Sequence, residues 1–148
     1  MLDGHSLTCR VVELPRSTRS APEAAEAVGC DVAQIAKSLV FRGAATDEPL
    51  LVIASGANRV SEEKLSGLAG EPIRKADADF VRERTGFAIG GVAPVGHTKP
   101  PRTWIDRDLL EYESVWAAAG TPRALFSIRS EDLVKVTGAT VADTSEGR

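Results

Sequence analysis

Hydrophobic and polar positions along this chain change period repeatedly, which predicts short strands interleaved with short helices. Apolar runs bounded by turn residues predict strands over residues 8–14, 35–41, 50–54, 103–106, 114–118 and 124–128. Capping residues and helical spacing predict helices over 20–28, 61–68, 76–84 and 133–137. Several strands are joined by only a few residues, which favours antiparallel pairing over part of the sheet. We therefore expect a mixed α+β fold, an α/β chain without the doubly wound nucleotide topology.

Length and composition indicate one globular domain over residues 1–148. The chain is 43% hydrophobic and 26% charged, with an expected core over about residues 8–143 and a short disordered C-terminal tail. A domain of this size buries roughly 68–70% of its unfolded surface, so its core needs neither a metal nor a disulfide. Cys9 and Cys30 stand outside any CxxC spacing and there are two histidines, so we expect plain thiols, no metal and no cofactor.

The charge balance limits the partners. A formal net charge of −3 argues against a protein that coats DNA or other long nucleic acids, whose affinity comes from neutralising many phosphates. Arg74, Lys75, Arg82 and Arg84 form a basic cluster that could contact a nucleic-acid end, although solvated charges are the commoner explanation. The first residues lack a leader pattern and no apolar run reaches about 20 residues, so we expect a cytoplasmic protein without a membrane partner.

One lysine interrupts an apolar strand pattern. If residues 35–41 form a strand, then Lys37 shares a face with Ile35, Leu39 and Phe41. An ammonium group on an apolar face loses solvation unless an anion or a polar substrate meets it. The pattern therefore predicts a pocket beside Lys37.

A glycine-rich segment over residues 85–97 could form a second wall. Gly90 and Gly91 would let the backbone approach a ligand and present N–H groups, and His97 can titrate near neutrality. On composition alone a hairpin bend is the likelier explanation of the two glycines. The segment lacks the lysine and hydroxyl that complete a phosphate loop, and the chain has no GxGxxG, HExxH or GxSxG motif.

The order and spacing of several segments resemble the YbaK/prolyl-tRNA synthetase-associated domain family, whose members remove wrongly attached amino acids from tRNA. The resemblance spans residues from about 20 to 143, and it rests on residues 34–41, 55–60, 85–97, 105–106, 116–122 and 132–133. It implies a mixed sheet partly closed into a barrel and flanked by short helices, with the substrate pocket beside the lysine and the double glycine.

The resemblance also assigns roles. The family's essential lysine falls on Lys37 and its substrate-facing glycine on Gly90. Water would attack the aminoacyl ester without a metal while N–H groups near Gly90 and Gly91 polarise the carbonyl and Lys37 supplies charge. His97 could orient water or hold a ribose hydroxyl, or it could simply end the loop with a hydrogen bond.

Four further residues are candidates for binding substrate or the tRNA end: Ser55, Asn58, Arg59 and Asp106. An arginine fork suits phosphate, which favours Arg59 as a tRNA contact. Asn58 could instead make the turn, and Asp106 could anchor Lys37 or His97 or simply cap the turn that follows it. For Trp104 and Trp116 we expect core packing rather than stacking on a base.

The resemblance narrows the substrate only to a size class. The cysteine-specific branch carries an acidic residue near the position of Phe126 and a glutamine near that of His97, and this chain departs at both. We therefore expect deacylation in trans of alanine, serine, threonine or another small residue from tRNA, with tRNA(Pro) the first candidate. The acceptor end of aminoacylated tRNA is the expected partner, and a synthetase or elongation factor is a further one. A non-catalytic tRNA-end or synthetase-binding module, and a hydrolase for an unrelated small ester or amide, stay open.

Overall fold

The computed structural model describes residues 10–13, 21–85, 102–118 and 124–146. Within these ranges eight strands form one mixed sheet with the order β1-β7-β6-β2-β3-β5-β8, and β4 pairs with β2 beside this path. The strands are β1 Arg10–Glu13, β2 Ile35–Gly43, β3 Pro49–Ser55, β4 Ile73–Lys75, β5 Arg102–Asp106, β6 Ser114–Ala118, β7 Ala124–Arg129 and β8 Thr140–Ala142. The helices are α1 Ala21–Val28, α2 Glu62–Ala69, α3 Ala78–Thr85 and α4 Ser130–Thr137, with short 3-10 helices at Val32–Gln34 and Arg107–Glu111.

The sheet contains antiparallel as well as parallel strand pairs, as the short connections between strands predict. Strands β2 and β3, β2 and β4, β6 and β7, and β1 and β7 are antiparallel, while β2 and β6, β3 and β5, and β5 and β8 are parallel. The predicted mixed α+β class is therefore confirmed. The pairings between described strands form a path with two ends, β1 and β8.

Strand β3 lies at the centre of the sheet. All seven of its residues are buried, as the continuous apolar run after Pro49 predicts. One face of the sheet packs Leu51 and Ile53 with Phe126, and the other packs Leu50 and Val52 with partners that include Phe41, Leu65 and Trp104. The site described below lies at the edge of β2, next to this core.

The helix ends follow their sequence signals. Ser61 caps α2, its Oγ accepting a hydrogen bond from the Lys64 N–H at 3.1 Å, and Gly29 and Gly138 follow α1 and α4 with φ of 75° and 66°. Helix α3 begins at Ala78 rather than the expected residue 76, because the Asp77 carboxylate accepts from the Phe80 N–H at 2.8 Å.

The structure corrects the expected C-terminal boundary. Residues beyond Asp143 have the polar composition of a disordered tail, yet Thr144 is fully buried and Ser145 is 4% exposed. The Ser61 N–H donates to the Thr144 carbonyl at 2.7 Å, and the Glu146 N–H donates to the Arg59 carbonyl at 2.8 Å. Residues 144–146 therefore belong to the folded domain, because backbone hydrogen bonds hold a segment whose side chains give no apolar signal.

Strand β2 has an interrupted edge. Strand β3 pairs with β2 from Ala36 to Arg42 along one edge. On the opposite edge β6 pairs only at Ile35 and Ala36, and β4 pairs only from Phe41 to Gly43. Residues 37–40 therefore have no strand partner on that edge among the described residues.

Candidate functional site

A cavity of about 860 Å³ opens along this interrupted edge. Seven consecutive residues of β2, 35–41, line it, although their side chains alternate between the two faces. Such a set is expected where a strand edge, rather than a face, borders the space. The volume lies within the about 300–1,000 Å³ that is typical of small-molecule sites.

Lys37 points into this cavity from the face that the sequence predicts. It stands opposite Ala54 in the β2–β3 register, in the same row as the pairs Leu39–Val52 and Phe41–Leu50. Burial lowers the pKa of the Lys37 ammonium, and the nearby Arg59 lowers this pKa further, while Asp106 opposes both effects. Among the described residues, none forms an ion pair or a hydrogen bond with Lys37.

Arg59 is the second predicted site residue that the structure brings to the cavity. It lies on the loop between β3 and α2, its side chain is exposed, and it lines the same space as Lys37. Arg59 is close enough to Lys37 to lower its pKa, so the two cations repel each other. An anion bound between or beside them would relieve this repulsion. The cavity wall near Lys37 therefore suits a phosphate or a developing oxyanion.

Asp106, Asn58 and Ser55 belong instead to a hydrogen-bond network behind the cavity. The fully buried Asp106 carboxylate accepts from the Ser55 N–H at 3.3 Å, from Asn58 Nδ2 at 2.8 Å and from the Asp108 N–H at 3.0 Å. Asn58 Nδ2 also donates to Asp108 Oδ2 at 2.6 Å. Asp106 is the N-cap of the 3-10 helix that follows β5. These contacts match the sequence-based alternative in which Asp106 caps the turn that follows it.

Ser55 and Gly56 hold the start of the Arg59 loop. The buried Ser55 hydroxyl donates to the Ala33 carbonyl at 2.9 Å and accepts from the Ala57 N–H at 3.3 Å. A Cβ on Gly56 would stand 2.5 Å from the Val32 carbonyl oxygen, so only glycine allows this close approach. Ser55, Asn58 and Asp106 are not among the described residues that line the cavity, and their contacts position the loop that carries Arg59.

Sequence reasoning missed Ser38. Its Oγ is buried, has no hydrogen-bond partner in the described part of the structure, and belongs to a residue that lines the cavity. A hydroxyl in an apolar strand pattern is an ordinary core residue, so the sequence gives no signal for it. Buried hydroxyls in proteins nearly always find a partner, and a bound ligand could supply one here.

Phe126 and its neighbour Leu125 differ in whether they line the cavity. Phe126 is 1% exposed in the core cluster and does not line the cavity, whereas its neighbour Leu125 does. Trp104 and Trp116 pack in apolar clusters, as predicted. The described wall of the cavity is largely built from small or apolar side chains, among them Ala21, Pro22, Ala24, Ala36, Ala118 and Leu125.

Gly90, Gly91 and His97 lie outside the described residues, so their predicted roles stay predictions. Across the four described ranges, no group of three His, Cys, Asp or Glu side chains is placed to hold a metal ion. None of the helices in those ranges is both long and apolar enough to cross a lipid bilayer.

Comparison with known proteins agrees with this geometry. EbsC of Enterococcus faecalis, provisionally described as a Cys-tRNA(Pro)/Cys-tRNA(Cys) deacylase, is 24% identical over 125 residues, which are 84% of this chain and 76% of that protein. The uncharacterised YwhH of Bacillus subtilis is 32% identical over 123 residues, 83% of this chain and 78% of that protein.

Solved structures extend the similarity to the whole fold. A protein provisionally described as a trans-editing enzyme for prolyl-tRNA synthetase superposes with a TM-score of 0.88 at 55% identity, over 94% of this chain and 87% of that one. The hypothetical protein APE2540 gives a TM-score of 0.90 at 34% identity, over 98% and 96% of the two chains. The model of the aminoacyl-tRNA editing domain family matches residues 15–136. The chain therefore belongs to the aminoacyl-tRNA editing domain family.

Proposed function

We propose that this protein hydrolyses the ester bond between a wrongly attached small amino acid and the terminal ribose of tRNA, with tRNA(Pro) the first candidate. The observation that carries the proposal is Lys37, a partly buried ammonium that has no described ion-pair partner and faces an 860 Å³ cavity beside Arg59. Membership of the aminoacyl-tRNA editing domain family supports hydrolysis of an aminoacyl ester, and the cavity is the site that we propose for this reaction.

The reaction needs stabilisation of an oxyanion more than it needs a strong nucleophile. An aminoacyl ester is already activated, and water attacks it when the charge that develops on the carbonyl oxygen is stabilised. Lys37 meets that charge in a partly desolvated site, where each electrostatic interaction is stronger than in water. Arg59 binds a phosphate oxygen of the tRNA end, which positions the ester next to Lys37.

The glycine-rich segment completes this mechanism in our proposal. Backbone N–H groups of Gly90 and Gly91 polarise the ester carbonyl, and His97 orients the attacking water or a ribose hydroxyl. These roles follow from the family resemblance. No metal takes part in the proposed reaction, because Lys37 and backbone donors perform the electrostatic work.

Two features favour a small, uncharged amino acid. Alanines make up much of the described apolar part of the wall, which suits a small, uncharged side chain. In addition, this chain lacks the acidic residue and the glutamine near positions 126 and 97 that mark the cysteine-specific branch. Alanine, serine and threonine are therefore the leading candidates, and cysteine is a weaker one.

The similarity to a protein described as a trans-editing enzyme for prolyl-tRNA synthetase supports action in trans. In that case the protein meets charged tRNA after its release from a synthetase, or in contact with a synthetase or an elongation factor. We place this reaction in the cytoplasm, where the charged tRNA is used.

The test is the release of labelled amino acid from a panel of purified tRNAs. Alanine, serine, threonine and cysteine are each charged on tRNA(Pro) and on their cognate tRNAs, and release is followed with and without the protein. The proposal predicts rapid release of one or two small residues from tRNA(Pro). Release from none of the panel would overturn it, and retention of the charged tRNA without turnover would point to a binding module instead.

A further inference from the structure

A segment near the C-terminus contacts the loop that carries Arg59. Residues 143–146, here called the C-terminal strap, follow β8 and run beside the loop that carries Arg59. Thr144 and Ser145 are buried, and Glu146 lines the same cavity as Lys37 and Arg59. The strap is therefore part of the cavity mouth.

Backbone contacts join the strap to Arg59 and to the two residues that follow it. The Glu146 N–H donates to the Arg59 carbonyl at 2.8 Å, and the Ser61 N–H donates to the Thr144 carbonyl at 2.7 Å. Between these two bonds, Val60 and Ser145 form an antiparallel bridge. The Arg59 backbone is thus fixed as one strand of a very short ladder.

A side chain of α2 also binds this ladder. Lys64 of α2 donates from Nζ to Asp143 Oδ2 at 2.9 Å and to the Ser145 carbonyl at 2.7 Å. Both side chains of the ion pair are 29% exposed, so solvent screens it less than an ion pair at the open surface. Because a two-stranded ladder of this length is not stable alone, the strap depends on burial and on side-chain contacts such as those of Lys64 to stay in place.

We propose that Lys64 is a positioning residue: by holding the C-terminal strap it fixes Arg59 at the cavity mouth, where Arg59 receives a phosphate of the tRNA end. This inference rests on the proposed function for the identity of the phosphate. It adds that recognition of the tRNA end depends on a segment at the far end of the chain and on a lysine that does not line the cavity.

The experiment is a double-mutant cycle on KM and kcat for deacylation. Lys64→Met keeps the length of the side chain and removes its donors, and Arg59→Gln removes the phosphate contact. We expect Arg59→Gln to raise KM about tenfold and Lys64→Met to raise it about three- to tenfold, with kcat falling by less than KM rises, since each removes charge-assisted contacts. In the Arg59→Gln background, Lys64→Met should change KM by less than about twofold, because the two residues act through one contact.

Three controls keep the result specific. Lys135→Met removes an exposed lysine on α4 and should leave KM unchanged. Lys64→Arg keeps donors to the strap and should restore most of the affinity. Asp143→Asn weakens the ion pair but leaves the Lys64 bond to the Ser145 carbonyl, so it reports on the strap even if Lys64→Met folds poorly.

The outcomes separate this inference from the proposed function. If the wild-type protein deacylates no tRNA, the proposed function fails, and the same cycle is then read from the binding of an uncharged tRNA acceptor-stem minihelix. If Lys64→Met leaves KM or this binding unchanged, or if its effect adds in full to that of Arg59→Gln, the positioning role is wrong.

Discussion

Two charged side chains on opposite sides of β3 differ in how their charge is satisfied. Asp106, at the end of β5, is fully buried and accepts three hydrogen bonds at distances from 2.8 to 3.3 Å. Lys37, on β2, is partly buried, lies beside another cation, and has no described partner. The first charge holds the fold together, and the second costs the fold free energy unless a ligand binds.

This difference explains why residue type alone could not assign the two roles. Both residues interrupt or end an apolar strand pattern, and both are candidates in the sequence. The Asp106 carboxylate precedes a turn whose N–H groups need an acceptor. Lys37 instead lies in the part of β2 that has no strand partner on one edge among the described residues. Removing each group and measuring stability and activity separately tests this difference between Asp106 and Lys37.

The largest effect on stability is expected for Asp106→Ala. The substitution leaves the Ser55 N–H, the Asp108 N–H and Asn58 Nδ2 without this acceptor, so we expect a loss of about 3 kcal/mol in the free energy of unfolding. Urea denaturation measures it through the shift of the midpoint. Asp79→Ala, on the exposed part of α3, is the matched control, and equal midpoints for the two variants would contradict the structural role of Asp106.

A smaller effect, on turnover alone, is expected for Ser38→Ala. The Ser38 hydroxyl is buried without a described partner, so its removal should leave the unfolding free energy unchanged or slightly higher. If the hydroxyl bonds to the substrate, kcat/KM falls about threefold to tenfold. Paired denaturation and deacylation assays give both values, and a clear loss of stability would show that the hydroxyl has a partner in the fold.

The smallest effect is a pH-dependent change in stability at Lys37. The pKa of Lys37 in the folded protein lies below its ordinary value of 10.5, so the unfolded chain binds this proton more tightly. The wild-type protein therefore gains stability from this group as pH rises through the folded pKa towards 10.5, and Lys37→Met removes that gain. We expect Lys37→Met to be at least as stable as wild type at pH 7, with the difference shrinking as pH rises through the folded pKa towards 10.5. A variant less stable than wild type at pH 7 would mean that Lys37 has a stabilising partner.

The sequence predicts the strongly patterned elements well. The continuous apolar run of β3, the capped start of α2 and the alternation around Lys37 each depend on local signals that the structure confirms. Strands β4 and β8 were missed, because three residues with exposed or partly exposed side chains carry no period. The strap was missed for a related reason, since its order comes from backbone bonds to a distant loop.

The candidate site was predictable only in part. Lys37 could be selected because a charged residue interrupts an apolar strand pattern, and Arg59 because an arginine suits phosphate. The structure brings both to one cavity. Ser38, Glu146 and Lys64 could not, because a strand serine, a polar tail and a helix lysine are ordinary in sequence. Their relevance comes from tertiary proximity, which no local pattern encodes.

The most direct test of the account is single-turnover release of alanine from Ala-tRNA(Pro) by wild type, Lys37→Met and Lys75→Met, with the fold of each verified by denaturation. Lys75 also lines the cavity but stands at its β4 side, so it is a matched control for the loss of one positive charge. We expect Lys37→Met to lower the rate by at least about 100-fold, because an electrostatic contact to the transition state is lost, and Lys75→Met to lower it far less. A folded Lys37→Met protein that releases alanine at the wild-type rate would contradict the central claim that this ammonium drives the reaction.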